Sequence, residues 1–147
     1  MADFTGLTEQ AYILHATTGV GAMAQGQVWE DQVPDDVELL TNDDGSVRPY
    51  LTLHFQTPFA SAAGRSIGGH EGSQPYIMAF TAVAHAADPD SAKRLIAAAV
   101  VKLTGARPST TAGEIRSRGG WSGNRPDSGS RPTRFLRGAW LQVPINL

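Results

Sequence analysis

The stretch Asp88-Pro89-Asp90-Ser91-Ala92-Lys93-Arg94-Leu95-Ile96-Ala97-Ala98-Ala99-Val100-Val101-Lys102-Leu103-Thr104-Gly105 decides the fold. Asp88 suits an N-cap and Pro89 the first helical position, while Gly105, with Pro108 beyond it, supplies the stop. Ala92, Leu95, Ile96, Ala99, Val100 and Leu103 recur at helical spacing and make one stripe, with Lys93 and Lys102 off it. The pattern predicts a helix over about 88–104 that lies on a sheet and keeps one face in water. It is a core element and carries no catalytic residue.

Strand patterns stand on both sides of it. Tyr50 to Phe55 alternates Leu51, Leu53 and Phe55 against Tyr50, Thr52 and His54. Tyr76 to His85 alternates Tyr76, Met78 and Phe80 against Ile77, Ala79, Thr81 and Val83. From Arg134 to Leu147, the residues Leu141, Val143, Ile145 and Leu147 oppose Trp140 and Gln142, and Pro144 confines the end to an edge or unpaired position. A shorter strand is expected over Gln27 to Val33, ending at Pro34. A helix is expected over Leu7 to Thr17, with Leu7, Ala11 and Leu14 on one side and Gly19 as its stop. The order predicts an α+β fold: a mostly antiparallel sheet of four to five strands, one long helix, an N-terminal helix packed on it and long surface loops.

Three of those loops exceed the usual connection of about 4–6 residues. They are Asp35 to Val47, Gln56 to Pro75, and a Gly/Arg/Ser-rich stretch from Arg116 to Pro132. The last holds Trp121 and the arginines 116, 118, 125 and 131, then returns at once to a strand. A flexible linker is one reading of it. An arm that reaches across a neighbouring subunit and orders on assembly fits equally well.

At 147 residues the chain has room for one core, so residues 1–147 are expected to form a single domain. Hydrophobic residues at 41% and charged residues at 18%, with 16 glycines and 9 prolines, make a globular composition rich in loops. No apolar run approaches the ~18 residues of a membrane span, and Met1-Ala2-Asp3-Phe4 lacks a signal peptide's basic flank. A soluble, unexported protein with no membrane partner is expected. The absence of cysteine removes disulfides, thiolate zinc sites and a cysteine nucleophile.

The net charge of −2 is unevenly spread. Residues 1–47 hold nine acids (Asp3, Glu9, Glu30, Asp31, Asp35, Asp36, Glu38, Asp43, Asp44) and no Lys or Arg, whereas residues 48–147 hold twelve bases against five acids. A solvated acidic loop would explain part of that. Opposite charges on two surfaces of one subunit also favour head-to-tail association, which closes into a ring or grows into a filament.

Signs of chemistry are weak. Gly19-Val20-Gly21-Ala22-Met23-Ala24 matches a loose dinucleotide-binding pattern, but a helix is expected before it where that site needs a strand. The histidines 15, 54, 70 and 85 show no metal-ligand spacing, and His15, His54 and His85 suit hydrogen-bonded structural roles. His70, Glu71 and Ser73 lack a nucleophile elbow and are expected to be loop residues. No enzyme activity and no cofactor are expected. From Lys93 onward ten bases face two acids, with Trp121, Phe135 and Trp140 interleaved, which suits phosphate contact and base stacking. The acidic first third and a pI near 6.0 oppose a dedicated nucleic-acid module.

Val28-Trp29-Glu30-Asp31-Gln32-Val33-Pro34, an acidic loop, and then Asp44-Gly45-Ser46-Val47-Arg48-Pro49-Tyr50-Leu51-Thr52-Leu53 resemble the N-terminal half of the tail terminator (tail completion) proteins of long-tailed bacteriophages, especially those of actinobacterial hosts. The resemblance continues through the Pro75-Tyr76 strand, the Asp88–Thr104 helix, the Leu103-Thr104-Gly105-Ala106-Arg107-Pro108 exit and the closing Arg131-Pro132-Thr133-Arg134-Phe135 strand. It rests on element order and short motifs, and the Gly-rich 56–75 and 116–132 segments are longer than in plainer examples. It implies a non-enzymatic α+β subunit of the virion, at the head-proximal end of the tail, assembled in the host cytoplasm. Six copies would form a ring on the tail-tube protein, end tube growth and meet the head–tail connector proteins, with DNA passing through the lumen without specific recognition. A head–tail connector, a neck or tube subunit, and a nucleic-acid-binding module are the alternatives. The residues expected at the subunit and tube interface are Glu30, Asp31, Asp35, Asp36, Asp43 and Asp44 on the acidic side. Arg116, Arg118, Trp121 and Arg125 are expected on the other.

Overall fold

The computed structural model describes residues 5–20, 26–60, 76–127, 129–130 and 132–146. In chain order the elements are α1 (Leu7–Thr18), β1 (Val28–Glu30), β2 (Tyr50–Phe55), β3 (Phe59–Ala60), β4 (Tyr76–Ala86), α2 (Pro89–Leu103), β5 (Arg116–Gly120), β6 (Arg125–Asp127) and β7 (Arg134–Ile145). One sheet runs β1-β2-β4-β7-β5, with β3 paired to β4 and β6 paired to β7. Every pairing is antiparallel except β1 with β2. The class is α+β, as the element order predicts, and the sheet is wider than four to five strands because segments read as loops supply short ones.

The helix over Pro89–Leu103 follows its sequence signals. Asp88 Oδ1 accepts the Ser91 backbone N–H at 2.8 Å and Oδ2 accepts the Ser91 hydroxyl at 2.7 Å. Gly105 sits at φ 87°, a left-handed conformation that costs glycine little. Ala92, Leu95, Ile96, Ala99 and Leu103 are buried and Val100 is half-buried. They meet the sheet face made by Leu51 and Leu53 of β2, Met78, Phe80, Ala82 and Ala84 of β4, and Ala139, Leu141, Val143 and Ile145 of β7. Each large aliphatic side chain sealed there contributes on the order of 1.5–3 kcal/mol. Alanines at 82, 84, 92 and 99, all fully buried, let helix and sheet approach closely.

The N-terminal helix forms but buries another face than the apolar pattern predicts. Glu9, Ile13 and Thr17 point inward, while Leu7 is 63% exposed, Ala11 is exposed and Leu14 is half-buried. The inward polar groups are satisfied, which removes the penalty for burying them. The Glu9 carboxylate accepts the Ser109 hydroxyl at 2.8 Å, and the Thr17 hydroxyl donates to the Ile13 carbonyl at 2.8 Å.

Two further expectations are corrected, and Pro144 keeps an unpaired position on one flank of β7. The strand expected over Gln27 to Val33 pairs only at Val28–Glu30, because Asp31 takes φ 64° and turns the chain out of the ladder. Pro144 lies inside the β4–β7 ladder opposite Ile77. Its carbonyl accepts the Gly113 N–H at 2.8 Å on the opposite flank, past the end of β5, so its missing N–H breaks no pair. At residues 116–120 and 125–127 the segment from Arg116 to Pro132 is neither linker nor arm, since β5 and β6 both pair with β7. Backbone pairing along an outer edge needs no apolar side chains, so Arg-Ser-Arg-Gly-Gly reads as loop although it is strand. Of the Gln56 to Pro75 loop, residues 61–75 lie outside the described residues, as do Gly21 to Ala24, His70, Glu71 and Ser73.

Candidate assembly interface

The strand order separates the two charge sets. β1 forms one edge of the sheet; β5 and β6, both on the side of β7 away from β4, form the other. Glu30 closes β1, Asp31 follows it, and Asp35 and Asp36 lie on the next turn, all exposed and with no Lys or Arg between residues 28 and 36. Arg116 and Arg118 on β5 and Arg125 on β6 are exposed on the far edge, with two acids near them, Glu114 just before β5 and Asp127. Four strand spacings of ~4.8 Å put the two edges roughly 19 Å apart. That is more than twice the Debye length of about 8 Å at physiological salt, so within one chain the two sets are screened from each other. Each edge is left to act on a neighbour.

Asp43 and Asp44 do not belong to the β1 edge. They cap a small hairpin closed by the Thr41–Val47 bridge, where Asp44 accepts both the backbone N–H and the hydroxyl of Ser46. Those bonds, the hydroxyl first, hold the Asp44 carboxyl below the usual carboxylate range. The hairpin packs at the end of the sheet. Leu39, Thr41, Gly45 and Val47 line a cleft of about 140 Å³ with Ala87, Pro132, Thr133 and Arg134. The acidic segment is therefore two surfaces rather than one.

Trp121 and Arg125 come together on the outer face of the sheet, the face without helices. The Arg125 guanidinium lies 4.2 Å above the Trp121 ring, a cation–π contact. The indole rests on Gly138 of β7, where a Cβ would collide with the ring. The Trp121 backbone N–H donates to the Gly138 carbonyl at 2.9 Å. Trp121 is thus half-buried in its own chain, while Arg116 and Arg118 stand free of it at the edge.

The outer face also holds a cluster that sequence patterning missed. Tyr50 stacks on His85 with centroids 4.4 Å apart and rings 6° from parallel. The Thr52 hydroxyl lies between His54 Nε2 at 3.0 Å and His85 Nε2 at 2.9 Å, and Arg134 donates to the Tyr50 hydroxyl at 3.0 Å. Asp31 reaches His54 Nδ1 at 3.6 Å. Burial, then the charges of His54 and Arg134, push His85 down to about 4, so it is neutral at physiological pH. His54 and His85 are hydrogen-bonded residues of the sheet, joining β2 to β4. The only clue in the sequence was the polar alternation Tyr50, Thr52, His54; it could not supply the register that sets His85 opposite Tyr50.

Among the described residues no group of three or more His, Asp or Glu side chains is placed to hold a metal ion. No described helix is long and apolar enough to cross a membrane. No protein-family model and no curated protein matches the chain. A chain of the virion of a native gene transfer agent particle shares the fold, with a TM-score of 0.57 over 94% of each chain at 16% sequence identity. The likeness at that identity is one of fold.

Proposed function

We propose that this chain is a virion structural protein, without enzyme activity, that forms a six-membered ring on the end of a phage-type tail tube. The ring ends tube growth and presents the surface that joins head to tail. The observation that carries this reading is the likeness of fold, over nearly the whole of both chains, to a component of a gene transfer agent virion. The charge segregation supports it: an acidic β1 edge and a basic β5–β6 edge on one subunit are complementary in head-to-tail order, the arrangement that closes into rings.

In this reading Glu30, Asp31, Asp35 and Asp36 of one copy face Arg116, Arg118 and Arg125 of the next, with Trp121 holding Arg125 in place. Asp43 and Asp44, on their hairpin at the end of the sheet, face the tube. The tail-tube protein and the head–tail connector proteins are the partners, and DNA passes through the lumen unread. The site of action is the head-proximal end of the tail, reached by assembly in the host cytoplasm. A head–tail connector or tube subunit is the second reading, favoured by the same likeness because it is to a component of a whole virion.

Negative-stain images of the chain mixed with its tail-tube subunit separate the two. Six-fold rings or capped tubes of limited length are expected, and unlimited tube growth contradicts termination. Binding to duplex DNA should stay weak across salt. A steep loss of affinity between about 50 and 200 mM salt would instead reveal several phosphate contacts and a nucleic-acid-binding module.

A further inference from the structure

The helix layer, like the sheet, has two unlike flanks. On the β1 side α1 contacts β1 and α2 and leaves Leu7 and Ala11 exposed, Leu7 at 63%, while the half-buried Leu14 packs against the core. Leu7 and Ala11, one turn apart, share a face of the helix that lies away from the buried Glu9, Ile13 and Thr17. On the far side an open groove runs between α2 and β5. Ala97, Val100 and Val101 form its helix wall, Gly119 and Gly120 its strand wall, and Arg137 lines one end. Val101 is 79% exposed, an unusual degree for a valine.

We infer that the face of α1 that exposes Leu7 and Ala11 in one copy docks into the α2–β5 groove of the next. The occupant is a second copy because each chain carries both halves of the contact on opposite flanks, the requirement for a head-to-tail interface. Charge argues the same way. Glu30 lies on the helix side of the sheet, paired with Leu53, at the edge that α1 contacts, while Arg137 lines the groove and Lys93 stands one turn before Ala97 on α2. Bringing α1 to the groove therefore brings an acidic flank to a basic one, in the same order as the sheet edges. The glycines let a helix come close to the strand, and the valines give it apolar surface to cover. This inference rests on the head-to-tail reading above and names the surface that supplies its apolar contact.

The chain has no cysteine, so single-cysteine variants report the contact without background. A disulfide requires Cα atoms within about 7 Å, which makes the trap selective. Leu7→Cys and Val101→Cys, mixed and oxidised with oxidised glutathione, should give mixed dimers, with like-with-like dimers lost by comparison. The double variant should give a covalent ladder. Like-with-like dimers alone, or no cross-link, overturn the inference. Mixed dimers with a ladder that never closes keep the docking and reject the ring. Closed rings in stain images without mixed dimers keep the ring and reject this contact.

Discussion

At the residue scale, two side chains show how burial sets behaviour. His85 has a pKa of about 4 in the folded chain against about 6.5 unfolded, because burial beside His54 and Arg134 disfavours its charged form. Between those values the unfolded chain binds a proton that the folded chain refuses. This stability is present in full above pH 6.5 and is lost as pH falls towards 4. The loss is on the order of 2–3 kcal/mol, and urea titrations at pH 7 and 4.5 should show it, with a shallower pH slope in His85→Gln. Asp127 also lies in this neighbourhood and favours the protonated form of His85, so the slope, not the absolute stability, is the readout. Gly138 is a packing constraint of another kind. Gly138→Ala places a methyl group on the Trp121 indole and should cost about 1–3 kcal/mol. It should also release Arg125 from the ring, which Trp fluorescence would detect.

At the element scale, α2 was legible in full: the cap, the proline, the stripe and the glycine stop all act where the sequence puts them. Asp88→Ala removes the bonds to Ser91 and should lower stability by about 1 kcal/mol. Leu103→Ala opens the sealed core and should cost about 2–5 kcal/mol, whereas Val101→Glu on the exposed flank should change stability by about 0.5 kcal/mol or less. Thermal melts of the three variants would check that order. The inward face of α1 was not legible, since Glu9 is made tolerable by Ser109, a hundred residues away in sequence. Strands β5 and β6 were hidden for a related reason. They are held by the backbone of β7, and their exposed side chains carry no alternating pattern. Of the expected interface, residue types and charge could be read from the sequence; the edges they occupy needed the strand order.

At the scale of the whole molecule, the −2 net charge is the sum of −9 over residues 1–47 and +7 over residues 48–147, and each stretch supplies one charged edge of the sheet. The sheet holds those edges roughly 19 Å apart, and the helices lay an apolar stripe and an apolar groove along the same two flanks. A subunit built this way has unlike sides that complement each other, and repetition of one contact suffices to make a ring. The most direct test exchanges the charges. Glu30→Lys, Asp31→Lys, Asp35→Lys and Asp36→Lys together make one variant basic on both edges, and Arg116→Glu with Arg118→Glu makes a second acidic on both. On the tail-tube template neither variant alone should give rings in negative-stain images, because like charges meet at every contact. An equal mixture should restore six-fold rings, since alternate copies now attract at each junction and an even number closes. Rings from either variant alone, or a mixture that stays dispersed, would contradict head-to-tail assembly through these edges.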